Sequence, residues 1–239
     1  MKLDILAVGV HPDDVELSCA GTLLKHIQLG YKVGLLDLTK GELGTRGSAE
    51  LRTEEATEAA RIMGALVREQ LDLEDGFFTQ NEAHLRKIIR IIRKYCPEVV
   101  FANALEDRHP DHGRASKLMS DACFLSGLVK IETLDDNNIP QAPWRPKTVY
   151  HYIQDRALKP DFVVDISSFV DKKFELIMAY KSQFFDPLST EPKTPISGKE
   201  FLDSIKGKDS VYGRYIGVQY AEGFNVEKTI GVKNIFDLM

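Results

Sequence analysis

The chain has 239 residues, enough to bury a substantial core, and its 43% hydrophobic and 28% charged residues are ordinary for a globular α/β protein. A formal net charge of −5 offers no basic surface for nucleic acid, and no apolar run approaches the length of a membrane span. Three cysteines, odd in number and far apart, argue against a disulfide frame. With no signal-peptide pattern at the start, the expectation is a cytoplasmic protein with reduced thiols.

Ile5 to Val10 reads as a buried strand and Val15 to Leu29 as the helix behind it, with Ala20, Leu23, Leu24 and Ile27 on one apolar face. Gly30 is placed to end that helix in a left-handed cap. Between strand and helix lies His11-Pro12-Asp13-Asp14. If coiling begins there, His11 and Asp14 come to the same side, and Asp13 diverges from them. Val33 to Leu38 is a second strand, leaving through a polar loop that contains Gly41, Gly44 and Gly47. Ser48 caps the next helix, which carries Leu51, Ala56, Ala59, Ala60 and Met63 and stops at Gly64. Ala65 to Leu73 holds a third, weaker strand. Thr79 to Glu82 matches a capping box. Leu85, Ile88, Ile89 and Ile92 mark the helix behind it, ended by Pro97. Val99 to Ala102 is a fourth strand.

Strand and helix alternate four times, which predicts a mostly parallel sheet with helices on both faces and ligands at the strand C-termini. The fourth strand opens into a loop, Asn103 to His112, followed by a helix with Ala115, Leu118, Met119 and Ala122 on its apolar face. Pro110 suits that helix's first turn. His109 and His112 are three apart, the spacing of His11 and Asp14. Beyond Gly127 the pattern is less regular. Thr148 to Ile153 and Phe162 to Ile166 read as strands, and Phe169 to Tyr180 as a helix. Asp186 to Gly198 reads as a loop able to cover a site, and Val211 to Tyr220 as a last helix broken or kinked by Gly213 and Gly217.

Two clusters that each follow a strand can converge over one sheet end. A catalytic zinc typically takes three protein ligands and keeps one open position. His11, Asp14 and His112 would supply that set, with Asp13 as general base. His109 would stabilise the oxyanion and protonate the leaving amine, and Asp111 would hold its ring in one tautomer. Hydrolysis of an amide or ester uses all these parts. Taken singly, each cluster has a plainer meaning: His-Pro-Asp is a common turn, and paired aspartates at a helix start favour the helix dipole. Two clusters with equal spacing are what favour the metal. Arg46, Arg52 and Arg108, two of them in or beside the rim loops, are either ordinary solvated charges or candidates to bind an anionic part of a substrate, and Glu42 is a lesser candidate for substrate binding.

His11-Pro12-Asp13-Asp14, Gly41-Glu42 with Thr45-Arg46-Gly47, Arg52, Arg108 to His112, and Tyr220-Ala221-Glu222-Gly223-Phe224 together resemble the PIG-L/LmbE-like zinc-dependent N-acetylglucosaminide deacetylases. Val15-Glu16-Leu17 is similar to the bacillithiol-biosynthesis branch, which deacetylates N-acetylglucosaminyl malate. The resemblance implies a Rossmann-like fold in one domain, with 1–127 as its core and 128–239 as an extension completing the site. It implies one Zn2+ per chain on His11, Asp14 and His112, with Asp13, His109 and Asp111 catalytic. Arg52 and Arg108 would lie near the malate carboxylates, and the protein would be a homo-oligomer, trimer or hexamer. Relatives of the mycothiol branch carry a tyrosine two residues before the first histidine of the second motif, where this chain has Asp107. Competing readings are a deacetylase of another N-acetylglucosamine conjugate or chitin-type fragment, and a sugar- or nucleotide-binding module without chemistry. The first loop lacks the glycine fingerprint such a module would need.

Overall fold

The computed structural model describes residues 1–238. Strand β1 (Ile5–Gly9) is buried throughout and leads into α1 (Asp14–Gln28), which ends before Gly30 in the left-handed region at φ 91°. The chain continues through β2 (Val33–Asp37), α2 (Ala49–Met63), β3 (Val67–Gln70), α3 (Glu82–Tyr95), β4 (Val99–Ala102) and α4 (Pro110–Leu125). Ser48 caps α2 through its side chain, and Gly64 closes it in the left-handed region. These parts stand as expected. The cap of α3 moves: Asn81, not Thr79, accepts the N–H of His84. A capping-box spacing identifies the helix start only to within a turn when a second good cap lies inside it.

The second half adds β5 (Thr148–Tyr152), β6 (Phe162–Asp165), α5 (Val170–Ile177), α6 (Lys199–Tyr215) and β7 (Ala221–Val226). All seven strands form one sheet in the order β3-β2-β1-β4-β5-β7-β6. The pairs from β3 across to β5 are parallel, and β7 runs antiparallel between β5 and β6. Alternation along β1 sends Leu6 and Val8 to one face, where they meet Ile88 and Ile92 of α3 and Leu118 of α4. Ile5 and Ala7 go to the other, against Val15, Cys19 and Leu23 of α1 and Leu176 of α5.

Two expectations for the C-terminal part are corrected. The last helix is longer and earlier than Val211 to Tyr220, beginning at Lys199, because Phe201, Leu202 and Ile205 form an apolar stripe that the surrounding charges obscure. Gly213 lies inside that helix and does not break it. A Cβ there would stand 2.7 Å from the carbonyl oxygen of Val218, so glycine lets the chain fold back closely against α6. That return becomes β7, absent from the sequence reading. Ala, Glu, Gly and Asn are weak strand formers, and its first four residues are all buried, so no alternation announces it. Among the described residues no helix is long and apolar enough to cross a membrane.

The strand order reverses between β1 and β4: the chain builds outward from β1 through β2 to β3, then returns to the other flank of β1. Crevices at the C-terminal ends of strands form at such a switch point. Here the two loops that leave β1 and β4 are those that carry the histidine clusters.

Candidate active site

A Cβ on Gly9 would lie 2.9 Å from the carbonyl oxygen of His11, so a bare backbone lets β1 turn sharply into α1. Asp14 gathers this turn around its own carboxylate. Its Oδ2 accepts the N–H groups of Val10 (2.9 Å) and His11 (3.0 Å) and the Nδ2 of Asn103 at the end of β4 (2.9 Å). Its Oδ1 is left facing His112 Nε2, 3.3 Å away, and accepts Nε2 of Gln154 at 3.1 Å. On the other side, His11 Nδ1 stands 3.8 Å from Asp14 Oδ2. The clusters separated by about a hundred residues of sequence therefore meet.

The far nitrogen of each of these rings is held by a carboxylate. His11 Nε2 is 3.0 Å from Asp75 Oδ1, and His112 Nδ1 is 2.5 Å from Asp107 Oδ2. His109 differs: it is the N-cap of α4, and its Nδ1 accepts the backbone N–H of Asp111 at 3.3 Å. A neutral ring with Nδ1 accepting carries its proton on Nε2 and acts there as a donor. Ring nitrogens of His11, His109 and His112 all lie within 4.8 Å of one another. The hydrogen bonds separate two ring nitrogens free to bind a cation from one built to donate.

Burial disfavours the His11 imidazolium, but the nearby carboxylates of Asp111, Asp75 and Asp14 overcome it and hold its pKa at about 10. His112 is likewise opposed by burial and raised by Asp14 and Asp107 to about 9. Asp14 goes well below the carboxylate range, because His112 and His11 outweigh its burial. Burial takes Asp13 the other way, up to about 7, against the charge of Arg52. Burial and the charges of His11 and His112 lower His109. Asp13 also has an uncommon backbone, φ 120°, at the N-cap of α1.

Of the expected substrate anchors, Arg108 and Arg52 line the cavity; Arg108 is half exposed and pairs with Asp155. Arg52 faces the cavity but spends its Nη2 on Asp13 Oδ2 (2.9 Å) and the Pro12 carbonyl (2.7 Å), so it holds the Asp13 carboxylate in place. Arg46 is buried elsewhere, donating to Ser189 Oγ (2.6 Å) and directed at the carbonyls of Gln183 and Phe184. Glu42 is exposed outside the cavity and accepts the N–H of Asp75 at 2.8 Å. Asp111 does not hold the ring of His109 through its carboxylate. That group accepts the Gly76 N–H (2.8 Å), pairs with Arg114 (3.1 Å) and lies 3.7 Å from His11 Nε2. Pattern reading could not tell a buried arginine serving backbone carbonyls from one serving a ligand.

Asp75, Asn103, Asp107 and Gln154 also contact His11, Asp14 or His112, although no motif in the sequence points to Asp75, Asn103 or Gln154. The cavity above this floor has a volume of about 470 Å³, and α6 with the segment before it supplies its far wall through Ile196, Phe201 and Lys208.

The donor set fits zinc. Two imidazole nitrogens face one carboxylate, His112 Nε2 at 3.3 Å from Asp14 Oδ1 and His11 Nδ1 at 3.8 Å from Oδ2, each histidine is oriented by a carboxylate behind it, and Asp13, Asp14, Asp75, Asp107 and Asp111 make the floor a well for positive charge.

Residues 6–123 match the family PIG-L: GlcNAc-PI de-N-acetylase. A crystal structure of a conserved protein from Thermus thermophilus superposes with TM-score 0.84 at 36% identity, covering 97% of this chain and 98% of that one. A diacetylchitobiose deacetylase of Thermococcus kodakarensis is 28% identical over 237 residues, 92% of this chain and 81% of the relative. At 25% identity stand a probable N-acetyl-alpha-D-glucosaminyl L-malate deacetylase of Bacillus anthracis (75% of this chain, 81% of the relative) and a 4-oxalmesaconate hydratase of Pseudomonas putida (74% and 73%). The matched segment carries both histidine clusters, and deacetylases recur among the relatives. The chain belongs to the PIG-L family of de-N-acetylases and is a hydrolase of the deacetylase kind.

Proposed function

We propose that this protein is a zinc-dependent deacetylase that removes the N-acetyl group from an N-acetylglucosaminyl conjugate. The observation that carries the reading is the pair of imidazoles facing Asp14, each braced from behind by Asp75 or Asp107. His11 Nδ1, Asp14 and His112 Nε2 would hold the ion. When bound, zinc supplies Lewis acidity to the amide carbonyl and makes water acidic near neutral pH. Asp13, tuned by burial to about 7, takes the proton from the attacking water. Arg52 fixes one of its oxygens and leaves the other for that task. His109 presents Nε2–H to the cavity as the hydrogen-bond donor for the developing oxyanion, and the proton that Asp13 takes from water passes on to the leaving amine. Asp111 sets that ring's tautomer through its backbone N–H.

For the aglycone, N-acetylglucosaminyl malate is the first reading, with Arg108 the cation available to a carboxylate. A neutral chitobiose-type substrate is the second, favoured by the apolar wall of Ile196, Phe201 and Ile205. The reading also includes cytoplasmic residence, one domain and a homo-oligomer, trimer or hexamer. Residues of both chain halves lining one cavity support the single domain.

The test is amine release from N-acetylglucosaminyl malate and from N,N′-diacetylchitobiose, with a chelator and with zinc restored. Release that stops with chelator and returns with zinc is expected. Release indifferent to chelator, or none from either sugar, overturns the proposal.

A further inference from the structure

Gln154 follows β5, is buried, and sits against the proposed metal ligands rather than the substrate wall. Its Oε1 accepts the backbone N–H of Ala104 at 3.1 Å and Nδ2 of Asn103 at 3.0 Å. A backbone N–H can only donate, so the orientation of the amide is determined and its NH2 points to the cavity floor. One hydrogen goes to Asp14 Oδ1 at 3.1 Å. The other faces His112 Nε2 at 3.4 Å, a long contact that either a proton or a cation on that nitrogen removes. His112 Nδ1 is committed to Asp107, so a cation on His112 must take the lone pair of Nε2. The second N–H of Gln154 then has no protein acceptor among the contacts described, and it lies at the cavity beside Asp14 and His112.

We propose that Gln154 is a catalytic residue that donates its second N–H to the substrate's carbonyl oxygen as that atom becomes an oxyanion. The inference rests on the zinc deacetylase reading. A buried amide donor left unpaired is costly, and an oxygen gaining charge is the acceptor it best serves. The anchoring of Oε1 on Ala104 and Asn103 gives the donor a fixed direction before substrate arrives, which is the condition for stabilising a transition state without reorganisation. His109 supplies the donor from α4 and Gln154 the donor from β5, so the oxygen is gripped by two separately supported elements.

The experiment compares wild type, Gln154→Leu and the near-isosteric Gln154→Glu after stripping with chelator and adding Co2+. The visible bands of Co2+ and its retention against chelator are read first, then kcat and KM on whichever of the two sugars above is hydrolysed. Wild type binds Co2+. Gln154→Leu is expected to keep the same bands while kcat falls about a hundredfold and KM barely moves. Gln154→Glu places a carboxylate beside the ligands, so its bands should change and its metal should be retained longer, again with turnover lost. Normal kcat in Gln154→Leu, or loss of Co2+ from it, overturns the donor role, the latter making Gln154 only a support for Asp14. Unchanged bands in a folded Gln154→Glu overturn the placement. Failure of wild type itself to bind Co2+ removes the metal reading and this one with it, an outcome separable from the others because no variant is needed to see it.

Discussion

Asp13 stands at φ 120°, a region side chains rarely occupy, and is held there by Arg52 from one side and by the start of α1 from the other. Strain and burial both point to a group kept for chemistry rather than stability. Asp13→Asn preserves shape and removes the basic oxygen; it should retain zinc and lose about a hundredfold or more in turnover. Metal analysis beside a rate measurement checks this, and near-normal turnover would dismiss Asp13 as base. Arg52 tests the same group by its charge. A substrate anchor would, on removal, raise KM. A brace that lowers the pKa of Asp13 should instead shift the acid limb of the pH–rate profile upward in Arg52→Ala, by about one unit or more. A raised KM with an unmoved acid limb would return Arg52 to the substrate.

At the scale of elements, the late pieces of the fold are tied to the early ones by buried charge. Glu222 on β7 accepts the N–H groups of Gly21 (3.0 Å) and Thr22 (2.7 Å) on α1 and pairs with Lys173 on α5 at 2.9 Å. Lys173 also pairs with Asp209 on α6 at 2.7 Å, and all three side chains are buried. Lys173→Met leaves two buried carboxylates without their shared cation and should cost about 3–5 kcal/mol in a denaturant titration. Glu222→Gln keeps the size of the side chain but turns an NH2 toward the N–H of Gly21 or Thr22 and leaves that donor unpaired, so it should also destabilise, by about 1–3 kcal/mol. Equal losses would mean the network acts through packing alone. This explains what was legible. The first four strands and helices announce themselves by apolar periodicity, and the two histidine clusters by their spacing, because both signals are local. β7, the true start of α6, and the ties of Arg46, Arg52 and Asp75 depend on partners tens to hundreds of residues away. Glu16 belongs with them: it looks like part of a substrate-type motif, but pairs with Arg68 at 2.6 Å beside Asp37, inside the packing of α1 on β2 and β3.

For the whole molecule, the sheet end concentrates acidic side chains, and what neutralises them governs stability there. In protein stripped of metal, the protons on His11 and His112 serve that purpose. Their pKa values stand at about 10 and about 9, against 6.5 for a free imidazole. A group raised on folding binds more protons folded than unfolded between the two values, so its stabilisation is complete below about 6.5 and is lost as pH climbs through the folded value. Stripped protein should therefore melt at progressively lower temperature from about pH 6.5 to 9. Zinc-loaded protein should change less, because the ion takes the place of those protons, and the same exchange makes zinc binding release protons. Calorimetric melting of both forms across that range checks the prediction. Parallel curves for the two forms would mean that the paired imidazoles and carboxylates do not share one charge balance, and the cation well at the switch point would lose its physical basis.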